Sequence, residues 1–324
     1  MKNNSFKNYS DLLLSSGSRI PLIADWLIHS VWSEENFASK ENKSYLDDGE
    51  KQVRDFEELI LNTAPGVYDE LTSLAKQKSN FLTNELSKQK MALVVLDGVS
   101  LRELPILTKL AVATNYKIVE KSYRYSALPS DTESFIEQRL LGKRISPSQL
   151  ESRKELSAIH VRAFYYDTPI RYFDLSSNGS SFLLWSSFPD GTYMNFEARN
   201  SLHFETLVKQ FDVIWKNIIL AVPKDYRVVI TSDHGYIYLN TGYESSEKAE
   251  SALQFLEQNR YKIVEPLTQI PELSELQIVS DINLAMIRGR IKNRPKGSSS
   301  NKVFRHGGLS LMEMITPFLV LERN

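Results

Sequence analysis

Three aspartates follow apolar segments, at positions where a parallel sheet gathers its ligand-binding groups. Asp97 follows Leu93–Leu96, Asp190 follows Phe182–Pro189, and Asp233 follows Val228–Ser232. Because the carboxyl ends of parallel strands line the ligand crevice of an open α/β sheet, we expect the three carboxylates at one rim. An aspartate after a strand also makes a turn, and this is the alternative for any one of them.

Two histidines extend this set of ligands. The chain has five histidines and no cysteine, so its strong metal ligands must be imidazole and carboxylate groups. His234 follows Asp233 directly, and His306 begins a His-Gly-Gly segment. Adjacent glycine lets a ligand or metal approach the backbone closely. With Asp97 and Asp190, these residues form the oxygen and imidazole set from which a zinc or manganese pair would be built.

A hydroxyl group at the start of a predicted helix could act beside such metals. Leu128–Phe135 reads Leu-Pro-Ser-Asp-Thr-Glu-Ser-Phe, in which Ser130 and Glu133 would form a capping box. The same unpaired N–H groups would hold a phosphoryl oxygen, and a hydroxyl there could attack phosphorus. The hydroxyl becomes a good nucleophile when one cation lowers its pKa and a second, about 4 Å away, polarises the phosphoryl group.

The apolar pattern predicts the elements that would position these groups. Residues from Ser10 to about Lys90 are helical in period, whereas Met91–Leu96 is a continuous apolar run typical of a strand buried on both faces. We therefore predict an N-terminal helical region at 1–90 and an α/β domain at 91–324. Further strands are predicted at Tyr116–Tyr125, Val161–Tyr166, Ser181–Phe188 and Tyr226–Ser232, with helices at Thr132–Leu141 and Leu202–Leu220. This alternation indicates a doubly wound, mostly parallel sheet.

The composition excludes several classes of protein. The 324 residues are 42% hydrophobic and 24% charged, which excludes disorder over most of the chain. A net charge of −1 provides no global field for non-specific binding of a long nucleic acid. The absence of cysteine suits a reducing compartment. The longest apolar runs, such as Ile218–Val222, fall far short of the roughly 20 residues of a spanning helix. We expect a soluble, cytoplasmic protein with no membrane partner.

The N-terminal helices offer a surface for a partner protein, with simple packing against the α/β core as the alternative. His29 lies between Trp26 and Trp32 on a predicted helix. We expect His29 to pack in the core or in an interface.

Five motifs share a family resemblance in their order and spacing. They are Leu96–Gly98, Leu128–Thr132, Phe188–Asp190, Ser232–Gly235 and His306–Pro317. Together they resemble the PglZ-domain family of the alkaline phosphatase superfamily, over roughly Met91 to Asn324. The resemblance implies a parallel sheet of the alkaline phosphatase type, a two-metal site usually filled by zinc, with manganese or magnesium as alternatives, and cleavage of phosphomonoesters or phosphodiesters.

The resemblance also implies roles for individual residues. Thr132 would be the nucleophile on a first metal. Asp97, Asp233 and His234 would hold that metal, and Asp190 and His306 would hold the second.

The sequence departs from this pattern at two positions. Phosphodiesterase relatives place a histidine four residues after the aspartate that matches Asp190, and Met194 stands there instead. Since a thioether is a poor zinc ligand, the second site loses a ligand unless His203 or Glu197 substitutes for it. Ser130 replaces the first threonine of a Pro-Thr-x-Thr pattern.

A group of cations near the C-terminus could bind substrate. If Met286–Lys296 is extended, Arg288, Arg290 and Lys292 share one face, and Arg305 lies next to His306 in sequence. Arg294, Lys296 and Lys302 add to this group. Such a row could guide the phosphate of a nucleotide or oligonucleotide toward the metals. The alternative is an edge strand kept soluble by its cations.

Two functions from different classes follow. The first is a metal-dependent phosphatase or phosphodiesterase acting through a phosphoryl intermediate on Thr132. A sulfatase is disfavoured, because the usual formylglycine precursor is cysteine. The second is a catalytically weakened PglZ-fold scaffold or binding component. By association, the resemblance implies a role in a bacterial phage-defence system such as BREX, beside protein partners from that system.

Overall fold

The protein is described here by a computed structural model. It covers residues 9–14, 17–77, 80–88, 90–176, 179–193, 200–242, 246–266, 268–293 and 303–323. The α-helices are α1 (Tyr9–Leu13), α2 (Arg19–Trp26), α3 (Glu34–Ser39), α4 (Asn42–Thr63), α5 (Gly66–Lys76), α6 (Phe81–Leu86), α7 (Leu104–Ala113), α8 (Thr132–Phe135), α9 (Lys154–Ala158), α10 (Asp190–Tyr193), α11 (Asn200–Ile214), α12 (Glu247–Phe255) and α13 (Leu311–Met314). Wider π-helical turns continue three of them, at Leu27–Val31, Ile136–Leu141 and Trp215–Ile219.

The strands form one large sheet and two small ones among the described residues. They are β1 (Met91–Leu96), β2 (Tyr116–Tyr125), β3 (Val161–Tyr166), β4 (Ser181–Ser186), β5 (Arg227–Thr231), β6 (Ile237–Tyr238), β7 (Tyr261–Ile263), β8 (Leu276–Val279), β9 (Leu284–Ile287), β10 (Phe304–Arg305) and β11 (Ile315–Arg323). The large sheet has the order β2-β11-β5-β1-β4-β3. Strands β5, β1, β4 and β3 run parallel, while β11 is antiparallel to both of its neighbours. The predicted α/β class with a mostly parallel sheet is confirmed.

The central strands are apolar because helices cover both faces of the sheet. Every residue of β1 and β4 is buried. Such burial on both faces explains why the sequence of β1 has no polar alternation. The predicted strands at Tyr116–Tyr125 and Val161–Tyr166 are confirmed at both ends. The predicted helix at Thr132–Leu141 is present as α8 followed by a π-helical turn.

The N-terminal helices pack into the main hydrophobic cluster of the protein. Buried side chains from α2, α4 and α5 belong to the same cluster as residues of β1, β4 and β5. Trp26 and Trp32 are buried in this cluster. His29 is exposed on the π-helical turn Leu27–Val31, so its predicted packing in the core was wrong, whereas its placement in an interface stays a prediction. The domain boundary before Met91 stays a prediction.

A smaller three-stranded sheet lies in sequence between β5 and β11 of the large one. Its order is β7-β9-β8, and both pairings are antiparallel. The segment Met286–Lys296, considered above as extended, belongs to β9 only as far as Ile287, where this strand ends. Within the described part of the chain, no helix is long and apolar enough to cross a membrane.

Candidate active site

The site lies where β1, β4 and β5 end. Asp97 directly follows β1, and its backbone N–H donates to the carbonyl of Ser186 at the end of β4 (2.9 Å). The backbone N–H of Asp190 in turn donates to the carbonyl of Asp97 (3.0 Å). After β5, the Ser232 hydroxyl donates to the carbonyl of Leu96 (2.7 Å). Hydrogen bonds between neighbouring strand ends therefore hold the three loops together.

Thr132 lies beside the residues at these strand ends. Its Oγ1 donates to Oδ2 of Asp233 at 2.7 Å and lies 3.5 Å from Oδ1 of Asp97. The same oxygen is 3.4 Å from Nε2 of His234. Thr132 begins α8, which is capped by the Asp131 carboxylate accepting from the Ser134 N–H (2.7 Å). The structure thus brings together four residues separated by up to 137 positions in sequence.

The orientation of His234 leaves its Nε2 facing the carboxylates. Nδ1 lies 3.0 Å from the carbonyl of Gly235, which assigns the ring proton to Nδ1 as donor. Nε2 is 3.6 Å from both Asp97 Oδ1 and Asp233 Oδ2. A hydrogen bond to the far ring nitrogen is the usual way that proteins orient a metal-binding imidazole.

Negative charge is concentrated at this point. Burial, and then the charges of Asp233 and Asp190, raise the pKa of Asp97 well above its ordinary value. Burial alone would lower the pKa of His234, but the charges of Asp233, Asp190 and Asp131 and the hydrogen bond to the Gly235 carbonyl together raise that pKa. Carboxylates this close disfavour one another unless a positive charge compensates them.

The donor set fits a divalent cation. One ligand atom from each of Asp97, Asp233 and His234 lies within 4.8 Å of the others, and all three residues are buried. Two carboxylate oxygens and one imidazole nitrogen are a chemistry that zinc and manganese accept. These three residues could hold a metal ion, and the hydroxyl of Thr132 lies against them.

Asp190 and His306 form a second, more open pair. His306 Nε2 is 3.9 Å from Asp190 Oδ1, and about a third of each side chain is exposed. The rings of His306 and His234 stack with centroids 4.0 Å apart. Burial and His234 lower the pKa of His306. Met194 and Glu197 lie outside the described residues, as does the side chain of His203, so the predicted loss of a ligand stays a prediction.

The role expected for Ser130 was wrong. Asp131 is the residue that caps α8. Ser130 instead contacts the His306 loop: its Oγ accepts from the Gly307 N–H (3.0 Å) and donates to the Gly308 carbonyl (2.8 Å). The hydroxyl reaches this loop because residue 130 lies just outside the helix.

Among the described residues, Arg288 and Arg290 do not form the predicted row of cations. Arg290 is fully buried and paired with Glu50 of α4, so it cannot meet substrate. Arg288 bonds to Asp69 (2.9 Å) and to Gln277. The edge-strand alternative is also wrong, because β9 is the middle strand of its sheet and ends before both arginines.

Arg305 is placed differently, on β10 directly before His306, where its Nη1 donates to the carbonyl of Phe304 (2.9 Å). Arg294, Lys296 and Lys302 lie outside the described residues.

Two buried charged residues near the site were missed from sequence. Glu313 and Arg260 form an ion pair with an Nε–Oε1 distance of 2.6 Å beneath the His306 loop. The one signal was an acidic residue inside the apolar segment Leu309–Met314, which is unusual for a buried element. Arg260 gave no signal.

Comparison with known proteins finds a family model that matches part of the chain. Residues 193–321 match the model described as the BREX system PglZ alkaline phosphatase-like domain. The predicted resemblance to PglZ is confirmed. The PglZ match contains Asp233, His234 and His306, whereas Asp97, Thr132 and Asp190 precede it. No curated protein matches the chain by sequence.

Solved structures similar to this PglZ-like chain include two ectonucleotide pyrophosphatase/phosphodiesterases. The murine protein number 5, in an inactive form in complex with AMP, is 13% identical, with 72% of this chain and 88% of that chain covered and a TM-score of 0.43. The human protein number 5 is also 13% identical, with 72% and 87% covered and a TM-score of 0.42. The chain thus combines a match to a PglZ alkaline phosphatase-like domain over residues 193–321 with a buried Asp-Asp-His group.

Proposed function

We propose that this protein is a metal-dependent phosphohydrolase that cleaves a phosphomonoester or phosphodiester with Thr132 as nucleophile. The observation that carries the proposal is the position of Thr132 Oγ1, 2.7 Å from Asp233 Oδ2 and within the cluster that includes Asp97 and His234. A hydroxyl, two carboxylates and an imidazole with its Nε2 facing inward make a site suited to phosphoryl transfer.

The ligand residues divide into two groups. Asp97, Asp233 and His234 would hold one cation, and Asp190 with His306 would hold the other. Zinc is the first choice for both, with manganese or magnesium as alternatives. When bound, the cations supply positive charge that lowers the pKa of a nearby hydroxyl and offsets the charge of the phosphoryl oxygens.

Thr132 performs the bond-forming step in this proposal. Its hydroxyl already donates to Oδ2 of Asp233. Oγ1 forms a bond to phosphorus while the bond from phosphorus to the leaving oxygen breaks, and the hydroxyl proton passes toward Asp233. Water then hydrolyses the phosphothreonine and restores the hydroxyl.

The proposal extends to the substrate and to the cellular setting of the reaction. A nucleotide or oligonucleotide would present the required phosphate ester. Of the arginines predicted to bind substrate, Arg305 lies directly beside a site residue, His306. The match to a BREX PglZ domain supports a role in a bacterial phage-defence system beside protein partners. We place this activity in the cytoplasm, in agreement with the absence of cysteine.

Hydrolysis of model substrates tests the proposal. The purified chain is assayed on bis(p-nitrophenyl) phosphate and p-nitrophenyl phosphate with zinc, manganese or magnesium. Thr132→Ala and Asp233→Asn should each lower kcat by about 100-fold or more. Thr108→Ala is the matched control, because this buried hydroxyl on α7 bonds only to its own helix, at the carbonyl of Leu104 (2.9 Å). Activity that survives both site changes would exclude the mechanism.

One observation favours a second candidate, a scaffold with weakened turnover. Among the described residues, Asp190 and His306 supply only two ligands to the second position, 3.9 Å apart. A chain that binds one cation and hydrolyses neither substrate with any metal would be such a scaffold.

A further inference from the structure

Glu313 is bonded to both loops that carry the site histidines. Its carboxylate Oε1 accepts from the backbone N–H of Gly308 at 2.9 Å, two residues after His306. Its main-chain carbonyl accepts from the N–H of Gly235 at 2.9 Å, next to His234. The side chain is fully buried. One residue on α13 therefore joins two loops that are distant in sequence.

Arg260 holds the Glu313 carboxylate in place. Its Nε and Nη2 donate to Oε1 and Oε2 at 2.6 and 2.8 Å, a bidentate pair. The remaining donors bind the carbonyls of Ile291 (3.0 Å) and Gly289 (2.7 Å). Arg260 directly precedes β7, so the small sheet supplies the cation that fixes the position of Glu313.

The two glycines after His306 let this ion pair lie against the loop backbone. A Cβ on Gly308 would be 2.6 Å from Nε and Nη2 of Arg260. Gly307 has a φ of 102°, and a Cβ there would be 2.8 Å from the ring of Tyr261. A side chain at either position would push the loop away from Arg260 and Tyr261.

The opposite side of the His306 loop is hydrogen-bonded to the segment that carries Thr132. The Ser130 hydroxyl bonds to Gly307 and Gly308, and the Ser130 carbonyl lies 3.2 Å from Nδ1 of His306. Ser130 is two residues before Thr132. The loop is therefore held between Glu313 on one side and the segment of Thr132 on the other.

We infer that Arg260 and Glu313 are positioning residues that hold His306 in a fixed position relative to Thr132. The pair touches neither Thr132 nor the three clustered ligands through its charged groups, and it acts through the backbone of the His306 loop. The importance of the Arg260–Glu313 pair for the second cation rests on the proposed function. Its effect on the position of the His306 side chain is independent of that function.

Chemical labelling of histidine tests the inference without any metal or substrate. Diethylpyrocarbonate is added to the full chain in chelator, and the modification rate of each histidine is read by peptide mass spectrometry. His29 and His160, both exposed, serve as internal references. Glu313→Gln should raise the rate at His306 by about five-fold or more relative to His29, because the loop opens locally.

Two further variants keep the test decisive. Gly308→Ala disturbs the same contact with both charges intact, and it should raise the His306 rate even if Glu313→Gln does not fold. Leu156→Ala truncates a buried core residue on α9 and should leave the relative rate at His306 unchanged. An unchanged or lowered His306 rate in the first two variants, or an equal rise in Leu156→Ala, would overturn the inference.

Zinc titration by calorimetry measures the consequence for binding. The parent chain should bind two ions and Glu313→Gln one, with the tighter ion retained. If both bind two ions with equal affinity, the positioning role is wrong. If the parent binds none, the proposed function fails, while the labelling result still judges the role of Glu313.

Discussion

The Glu57 carboxylate on α4 accepts a hydrogen bond at 2.7 Å from the backbone N–H of Leu311, a residue 254 positions later. Leu311 begins α13, the helix that carries Glu313. An N-terminal helix thus contacts directly the segment that supports the His306 loop. Burial raises the pKa of Glu57 to about 7, with Glu313 adding to the rise while Arg290 and Arg260 oppose it.

The buried Glu57 should make stability fall as the pH rises. Between its ordinary pKa of 4.5 and about 7, the folded chain holds a proton that the unfolded chain has lost. The free energy of unfolding therefore decreases across this window, by roughly 2 to 3 kcal/mol. Glu57→Gln keeps an oxygen for Leu311 and removes this titration. Urea unfolding at pH 5 and pH 8 should show the larger pH effect in the parent, and equal pH effects in both would contradict the prediction.

The effect of Asp97→Asn on stability should reverse sign with metal. In chelator, the variant loses one of several crowded negative charges and should unfold at higher urea than the parent. With zinc at about 100 times its Kd, the parent gains about 2.7 kcal/mol and becomes the more stable of the two. Asp281→Asn, at an exposed ion pair with Lys76, is the control and should shift neither midpoint. A parent whose urea midpoint does not change with zinc would refute this prediction.

Gly235 should tolerate no side chain. A Cβ there would lie 2.1 Å from the carbonyl oxygen of Met312, a rigid backbone atom. Gly235→Ala should therefore cost on the order of 3 kcal/mol of unfolding free energy, as overpacking of a core does. Gly66→Ala, at the first turn of α5, meets no atom closer than 3.6 Å and should change stability by about 0.5 kcal/mol or less. Thermal melting of the two variants provides the comparison.

Arg139 should contribute to stability through backbone carbonyls. Its guanidinium is buried and donates to Gln77 and Ser126, both at 3.0 Å, and to Ala75. Ala75 and Gln77 lie at the C-terminal end of α5, where a cation is favoured by the helix dipole. Arg139→Ala should lower the free energy of unfolding by roughly 3 kcal/mol, because buried carbonyls lose their donors. Arg171→Ala at an exposed pair should cost about 0.5 kcal/mol or less, and equal losses would show that the carbonyl contacts add nothing.

The local pattern was sufficient for the strands and for the strand-end residues. The apolar run of β1 and the strand at Val161–Tyr166 could be predicted because burial on a sheet face selects residue types within a few positions. Helix ends were less predictable. Ser130 and Asp131 both suit a cap, and only the backbone geometry at residue 131 selects between them.

The arginines show where such patterns fail. Arg288 and Arg290 have the alternate spacing that is typical of a row of cations on an exposed strand face. In the folded chain, Arg290 is paired with Glu50, 240 residues away. No local periodicity encodes a partner at that separation, since a buried ion pair depends on where two distant elements meet.

The sequence by itself determined the fold class, the PglZ resemblance and the residue types of the candidate site, because these are written in short apolar runs and in motifs at their ends. Only the tertiary structure decided which groups meet. In the folded chain, Thr132 contacts Asp233, Arg290 is buried, and Glu313 is hydrogen-bonded to the loops that carry His234 and His306. Those outcomes depend on the packing of elements far apart in the chain, where contact geometry and desolvation, rather than local residue preference, set the energy.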